Sequence, residues 1–219
     1  MKTSQKVYTE YKIMPSLQLH QLRVAAVAKL ICDNFDQPLD ERNVVLACLF
    51  HDMGNIIKSN LDIFPDFLEP KGRGHWEHIK EEFISKYSKN HHDANLSIAR
   101  EIGLPQRSVE LIGGTGFSKI ERILAGDSKE QKIVQYADLR VGPRGILPLR
   151  DRVEEGRKRY AVRAKKEGLP NRDEVFDASV RSAHELEKQL FTFVRIIPSD
   201  ITDEAVAPHI ERLKAYPLA

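Results

Sequence analysis

The sequence has no long apolar run and almost no cysteine. No stretch of its 219 residues approaches the ~18 consecutive apolar residues that a membrane-spanning helix requires. The polar residues 1–6 are not followed by the apolar core of a signal peptide. The two cysteines, Cys32 and Cys48, lie in apolar helical patterns and are expected to be buried, reduced thiols. These absences predict a cytoplasmic protein without an export signal or a membrane span.

The sequence also lacks an excess of charge and any alternating strand pattern. Its 34 Lys and Arg residues oppose 32 Asp and Glu residues, and the formal net charge of +2 is too small to indicate nucleic-acid or membrane binding. Hydrophobic residues make up 41% and charged residues 30% of the chain, which is ordinary for a globular domain. Apolar residues recur at helical spacing throughout, so we expect an all-α fold.

The chain is organised around residues 49–55, where an apolar run ends in His51, Asp52 and Gly54. A charge in apolar surroundings is costly unless it is paired or its pKa shifts. A divalent cation would remove this cost, because neutral imidazole and carboxylate are both good ligands for it. For the dipeptide alone, a solvated His–Asp pair at a helix end capped by Gly54 is an equally good interpretation.

Caps and apolar spacing predict the helices on either side. A helix over residues 16–35 is expected to begin at Ser16 and to bury a stripe that includes Leu19. Asp40 is expected to cap the helix that ends near His51, and Ser128 to form a capping box with Gln131.

Less regular segments leave more alternatives open. Residues 56–74 are either a lid or substrate wall beside the metal candidate or a merely variable loop. Residues 113–116 (Gly-Gly-Thr-Gly) lack the lysine of a P-loop, so a flexible turn is predicted there. A basic stretch over residues 140–159 is interleaved with acidic residues, which predicts a solvated helix face. Asn171 is expected to cap a helix to about residue 197, whose apolar stripe would cover the core or contact a second copy of the chain.

Four residues on predicted helices or helix ends could complete a metal site together: His20, His51, Asp52 and Asp138. Two imidazoles and two carboxylates suit a divalent or iron cation and leave positions open for water. The segments that carry them, residues 19–24, 50–54 and 134–138, resemble the HD-domain superfamily of metal-dependent phosphohydrolases. The resemblance implies that one metal is held by these four residues inside a helical bundle over residues 1–150. Residues 151–219 would form an additional helical segment packed on that core.

Within that superfamily the chain looks most like the branch that cleaves nucleotides and dinucleoside polyphosphates. The resemblance implies that His91, with His92 as the near alternative, stands where binuclear relatives have a second-metal ligand, and that Arg144 faces a phosphate. Gly113 and Gly114 stand where such relatives carry another histidine. Asn55 stands where mononuclear nucleotidases of the family carry a glutamate that positions water. We therefore expect one tightly held metal and at most a weak second one.

The expected function is hydrolysis of a phosphate ester, most naturally of a nucleotide, by water activated on a divalent metal. Arg23, Arg144 or Lys58 could neutralise the phosphoryl oxygens, although each could equally form a surface ion pair. His91 could donate a proton to the leaving group, ligate a weak second metal or lie on the surface.

Two other functions are compatible with the same residues. A non-catalytic sensor would keep the fold and the metal in order to recognise a nucleotide or a partner, and a di-iron oxygenase would need more ligands than the chain offers. The donor set does not distinguish Mn, Fe, Mg, Co, Ni and Zn. The expected partner is a phosphorylated small molecule, with homodimerisation through the C-terminal helix as a further alternative to packing on the core.

Overall fold

The computed structural model describes residues 2–167 and 173–218, and α-helices dominate the described chain. The helices are α1 (Ser4–Glu10), α2 (Pro15–Asp33), α3 (Glu41–Phe50), α4 (Arg73–Lys86), α5 (His91–Glu101), α6 (Gln106–Gly114), α7 (Ile120–Ala125), α8 (Lys129–Arg140), α9 (Leu149–Glu167), α10 (Asp173–Leu190) and α11 (Asp203–Lys214). Short 3-10 turns lie at Asn55–Lys58, Pro65–Leu68, Phe117–Lys119 and Pro198–Asp200. The described residues form isolated β-bridges but no β-strand, which confirms the all-α fold. None of the described helices is long and apolar enough to cross a membrane.

Two helices form the centre of the core. α2 packs against α3, α8 and α11, and its residues 24–28 are fully buried. Residues 44–50 of α3 are also fully buried. A helix that is apolar on every side is a core helix, and its position is set by packing on all its faces. The end of α3, where His51 and Asp52 follow, is therefore held by the best-packed part of the molecule.

The beginning of α2 differs from the prediction. α2 begins at Pro15, and Ser16 lies in its first turn without capping it. Proline suits the first helical position because its missing N–H would be unpaired there in any case. Leu19 is 38% exposed, so its predicted burial is wrong. The first turns of α2 border a cavity, and Ser16 and His20 line it. Leu19 is not among the lining residues and lies on the outer side of the helix.

The two other predicted caps are present. The Asp40 carboxylate accepts a hydrogen bond from the backbone N–H of Asn43 at 3.2 Å. The Ser128 hydroxyl accepts one from the backbone N–H of Gln131, also at 3.2 Å. The Gln131 side chain does not return a bond to Ser128 and instead donates to the carbonyl of Leu111 at 3.2 Å. Only half of the expected capping box forms, because the glutamine amide ties α8 to α6.

The prediction that the basic stretch forms a solvated helix face is wrong for Arg140. This side chain is 2% exposed and ends α8 in the interior. Its guanidinium donates to the backbone carbonyls of Leu147 at 2.6 Å, Pro198 at 3.0 Å and Ile201 at 3.1 Å. Buried carbonyls between helices need hydrogen-bond donors, and this one arginine supplies them to three carbonyls in two segments. Arg140 therefore connects α8 to the C-terminal part of the chain.

The C-terminal helices pack on the rest of the chain, and α10 is shorter than expected. It contacts α7, α8 and α9, whereas α11 contacts α2 and α1. α10 ends at Leu190 and not near residue 197, because the chain turns there to pair with the α2–α3 connection. The backbone N–H of Asp36 donates to the carbonyl of Phe193, and that of Arg195 donates to Asn34, both at 2.9 Å. The predicted cap Asn171 lies outside the described residues.

Candidate metal centre

The structure brings His20, His51, Asp52 and Asp138 together where three elements meet. His20 lies on α2, His51 and Asp52 follow α3, and Asp138 lies on α8. His20 Nε2 is 3.3 Å from Asp138 Oδ1 and 3.7 Å from Asp52 Oδ2. His51 Nε2 is 3.5 Å from Asp138 Oδ1 and 3.6 Å from Asp52 Oδ2. Both imidazoles therefore direct the same nitrogen at both carboxylates.

Hydrogen bonds from the core orient this cluster. His51 Nδ1 lies 2.8 Å from the carbonyl of Cys48, one turn earlier in α3, so Nδ1 carries the proton and Nε2 faces the carboxylates. The Asp52 backbone N–H donates to the side-chain oxygen of the fully buried Gln21 at 3.2 Å. α2 and the end of α3 thus hold the ligand candidates in fixed relative positions.

The two histidines and two carboxylates shift one another's pKa values. Burial disfavours a charged ring at His51, but the carboxylates of Asp52 and Asp138 beside the ring outweigh it and raise the pKa of His51 to about 9. Burial also opposes ionisation of Asp138, yet the rings of His20 and His51 close to it hold the pKa of this carboxyl well below its usual range. Without a cation, a proton on His51 therefore offsets part of the negative charge of the two carboxylates.

The residues fit a divalent metal ion. His20, His51 and Asp52 each offer one ligand atom, and these atoms lie within 4.8 Å of one another. His51 Nε2 is buried and has no hydrogen-bond partner among the described residues, which is the state expected of a nitrogen that donates its lone pair to a cation. Mixed imidazole and carboxylate donors suit borderline divalent ions.

A cavity of about 640 Å³ opens beside this cluster. Its size is typical of a site that takes a small organic molecule. Residues of the irregular segment 56–74 form one wall, where the rings of Phe64 and Phe67 stack with centroids 4.9 Å apart. The placement of this segment agrees with the substrate-wall interpretation.

Besides the four residues of the cluster, three other sequence-predicted residues line the cavity. They are Lys58, His91 and the alternative His92. The rings of His91 and His92 lie against each other with centroids 4.0 Å apart. Burial, followed by the charges of Lys119 and Lys58, lowers the pKa of His92. His92 also experiences the charge of Asp52, so the first turn of α5 borders the candidate metal centre.

Arg23 and Arg144 do not belong to the described residues that line the cavity. Arg144 has a side chain that is 65% exposed and pairs with Asp66 through two contacts, at 3.0 and 3.2 Å. A turn closed by the hydrogen bond from Gly142 N–H to the Gly145 carbonyl directs this loop outward. Arg23 Nε lies 3.4 Å from Asp203. Both placements match the ion-pair alternative.

Sequence reasoning missed Arg152 and Lys119, which also line the cavity. The Arg152 side chain is 17% exposed; its Nε–H donates to the Val141 carbonyl at 2.8 Å and Nη1 to Glu155 at 3.1 Å. Asp138 and Asp52 face its charge. Arg152 and Arg159 are seven residues apart, which places them on the same face of a helix two turns apart. This spacing could have indicated that the two side chains face the same site, although the whole segment was predicted to be solvated.

The segment predicted to be a flexible turn is partly helical. α6 continues through Gly113 and Gly114, and Gly116 adopts a φ of +148°, which favours glycine. The backbone N–H of Gly116 donates to the Gln135 side chain at 2.8 Å. Lys119 Nζ donates to the Gly113 carbonyl at 2.6 Å, so a cationic side chain covers the position where the resemblance implied a missing histidine.

Comparison with known proteins identifies one family. The family model described as HD domain matches residues 18–140, a span that is more than half of the chain and includes all four residues of the cluster. No curated protein and no solved structure matches the chain.

Proposed function

Because the chain belongs to the HD-domain family, which typically consists of metal-dependent hydrolases, we propose that it is a metal-dependent phosphohydrolase that cleaves a phosphate ester of a nucleotide. One observation carries the proposal. Two imidazoles and two carboxylates converge, with nitrogen–oxygen distances of 3.3–3.7 Å, beside a cavity of the right size for a small ligand.

His20, His51, Asp52 and Asp138 would hold the divalent ion. When bound, such an ion supplies Lewis-acid chemistry, since it lowers the pKa of water from roughly 15.7 toward 7 and withdraws charge from phosphoryl oxygens. The hydrogen bond from His51 to the Cys48 carbonyl keeps its ring from rotating out of the site. The packing of α2, α3 and α8 keeps the donors in place without help from a substrate.

Arg152 is the residue best placed to bind the scissile phosphate. Its guanidinium is anchored by the Val141 carbonyl and Glu155, and its Nη2 makes no hydrogen bond with the described residues. An arginine held in this way offers its remaining donors to an anion with little loss of side-chain entropy. In this proposal Arg152 takes the role that the resemblance implied for Arg144.

Asn55 and the paired histidines complete the reacting groups. Asn55 is 6% exposed, lines the cavity, and its Oδ1 is buried without a partner among the described residues. An amide can orient a water molecule by hydrogen bonding but cannot accept its proton. His91, or His92 stacked on it, is the candidate for protonating the leaving oxygen.

The aromatic wall supports a nucleotide as the substrate. Phe64 and Phe67 are stacked with their planes 27° apart, and both line the cavity. The Arg144 guanidinium lies over both rings, with distances of 5.7 and 5.3 Å to their centroids, and stiffens the pair. A flat aromatic surface next to a phosphate-binding end suits a nucleobase.

A non-catalytic sensor is the second candidate. Asn55 in place of a proton acceptor and the glycines at 113 and 114 favour it. The complete four-residue cluster favours the enzyme, as does Arg152, which is anchored near Asp52 and Asp138.

Phosphate release from a panel of nucleotides, with metal-stripped and metal-reconstituted protein, distinguishes the two. We expect release only from the reconstituted protein. Asp138→Asn should abolish it, whereas His78→Asn, which changes a histidine with a 69% exposed side chain, should not alter it. Reconstituted protein that binds nucleotides but releases no phosphate from any of them would establish the sensor instead.

A further inference from the structure

The cavity walls carry more positively charged side chains than the nearby carboxylates can neutralise. Four lysine and arginine side chains line them: Lys58, Lys119, Arg152 and Arg159. The only carboxylates among the described lining residues are Asp52 and Asp138, and a divalent ion would neutralise both. Arg152 and Arg159 share the carboxylate of Glu155, just outside the lining. The two lysines are left without a counter-charge.

Lys119 is held in place without a counter-ion. Its Nζ donates to the carbonyls of Gly113 at 2.6 Å and Thr115 at 3.3 Å, which fixes the ammonium group against the end of α6. Burial, and secondarily the charge of Arg122, lowers the pKa of this partly buried side chain. It forms no ion pair with any described residue. A cation fixed and partly desolvated in this way favours an anionic ligand beside it.

Lys58 and His92 belong to the same region of the wall. Lys58 makes neither an ion pair nor a hydrogen bond with the described part of the chain, and its charge and that of Lys119 both act on His92. His92 lies in the first turn of the 11-residue helix α5, whose positive end adds to the field. Asp52 also acts on His92, so this region of the wall adjoins the candidate metal centre.

We propose that Lys58, His92 and Lys119 form a second anion-binding subsite, which takes a phosphate group of the substrate other than the one that is cleaved. This inference rests on the proposed function and narrows its substrate to a molecule with two phosphate groups, a diphosphate or a bisphosphate. In the proposed function the metal ion and Arg152 contact the phosphate that is cleaved, so Lys58 and Lys119 remain for a second anionic group. A phosphate carries about two negative charges near neutral pH. A carboxylate carries only one charge, so a second phosphate matches two ammonium groups better.

Binding of phosphonates tests the subsite without turnover, because their C–P bonds are not phosphate esters. Isothermal titration calorimetry on metal-loaded protein would compare propylphosphonate with ethane-1,2-, propane-1,3- and butane-1,4-bisphosphonate. We expect at least one bisphosphonate to bind about tenfold more tightly than propylphosphonate, a gain of about 1.4 kcal/mol. 3-Phosphonopropionate, in which a carboxylate replaces the second phosphonate, should gain clearly less. An equal gain would overturn the assignment to phosphate.

Variants locate the effect. Lys58→Gln and Lys119→Gln should each reduce the bisphosphonate preference from about tenfold to about twofold. Lys58 is exposed, so its substitution should not disturb the core. Lys119→Arg should retain it because the charge remains. Lys12→Gln, which removes an exposed lysine paired with Glu82 away from the cavity, is the matched control and should leave it unchanged.

The outcomes separate this inference from the proposed function. If propylphosphonate binds and no bisphosphonate binds more tightly, the subsite is wrong and the phosphohydrolase proposal stands. If the preference exists but survives both glutamine variants, the second phosphate binds elsewhere and the assignment to these residues is wrong. If no phosphonate binds, phosphate recognition by this cavity fails and both proposals fall.

Discussion

Metal binding should displace a proton from His51, and the size of the effect follows from its surroundings. Asp52 and Asp138 overcome the effect of burial and raise the pKa of His51 from 6.5 to about 9, so at pH 7 only about one molecule in a hundred carries the neutral ring that a metal requires. Removing that proton at pH 7 costs about 3 kcal/mol, since each pH unit is worth about 1.4 kcal/mol. The apparent association constant should therefore rise about tenfold per pH unit between pH 6 and 8.

Calorimetric titration of metal into stripped protein, in buffers with different ionisation enthalpies, measures this release directly. We expect at least one proton per metal at pH 7, with His78→Asn as an unaffected control. An affinity that does not vary with pH, with no proton released, would refute His51 as a ligand.

The same pKa shift also predicts how the stability of the metal-free protein depends on pH. A raised pKa of His51 stabilises the metal-free fold fully below the unfolded value of 6.5, and this stabilisation is lost as pH rises through about 9. Metal-free protein should lose up to about 3 kcal/mol of unfolding free energy over that interval, measured by urea denaturation. Metal-loaded protein should not, because the cation replaces the proton. Equal pH dependence of the two forms would contradict this account.

Three further outcomes are expected. Gently purified protein should retain one metal per chain after dialysis, and His91→Ala should keep it while lowering the rate; two retained equivalents would contradict the single-site expectation. Arg152→Met should lower kcat/KM about 100-fold, which is the loss typical of a charged group that binds the reacting anion. Arg150→Met changes a side chain that is 81% exposed and should leave kcat/KM unchanged. Equal effects of the two substitutions would show that Arg152 does not bind the substrate. Deleting residues 171–219 should yield insoluble protein, because α10 and α11 cover core helices; a soluble truncation that binds metal would show that they are dispensable.

The fold and the cluster could be predicted because both follow from local pattern. α3 is apolar over residues 44–50, so its end near His51 can be predicted from composition, and Asp40 marks its beginning with a standard cap. His20 and Asp138 lie within apolar helical patterns, which places them towards the interior. The meeting of the four side chains follows when these helices pack, although metal binding by them stays a prediction.

The cationic walls could not be predicted in the same way, because they depend on tertiary placement. Arg140, Arg144 and Arg152 are alike in a segment of mixed charge, yet one is buried against three carbonyls, one pairs with Asp66 on the surface and one faces the cavity. The turn between α8 and α9 decides among these outcomes, and its direction depends on the bond between Gly142 and Gly145. Charge patterning reports the average environment of such a segment, not that of each residue.

The cations beside Asp52 connect the number of metal ions to the choice of substrate. A second divalent ion next to Asp52 would have to bind beside the ammonium groups of Lys58 and Lys119, and like charges at short range in a partly buried cavity oppose each other strongly. Lys119 is bonded to the carbonyl of Gly113, so it cannot move aside without leaving that carbonyl unpaired. Lys58 and Lys119 therefore supply the positive charge that a second ion would otherwise bring. Because this charge does not depend on metal supply, a substrate with a second phosphate would be bound as soon as the first ion is in place.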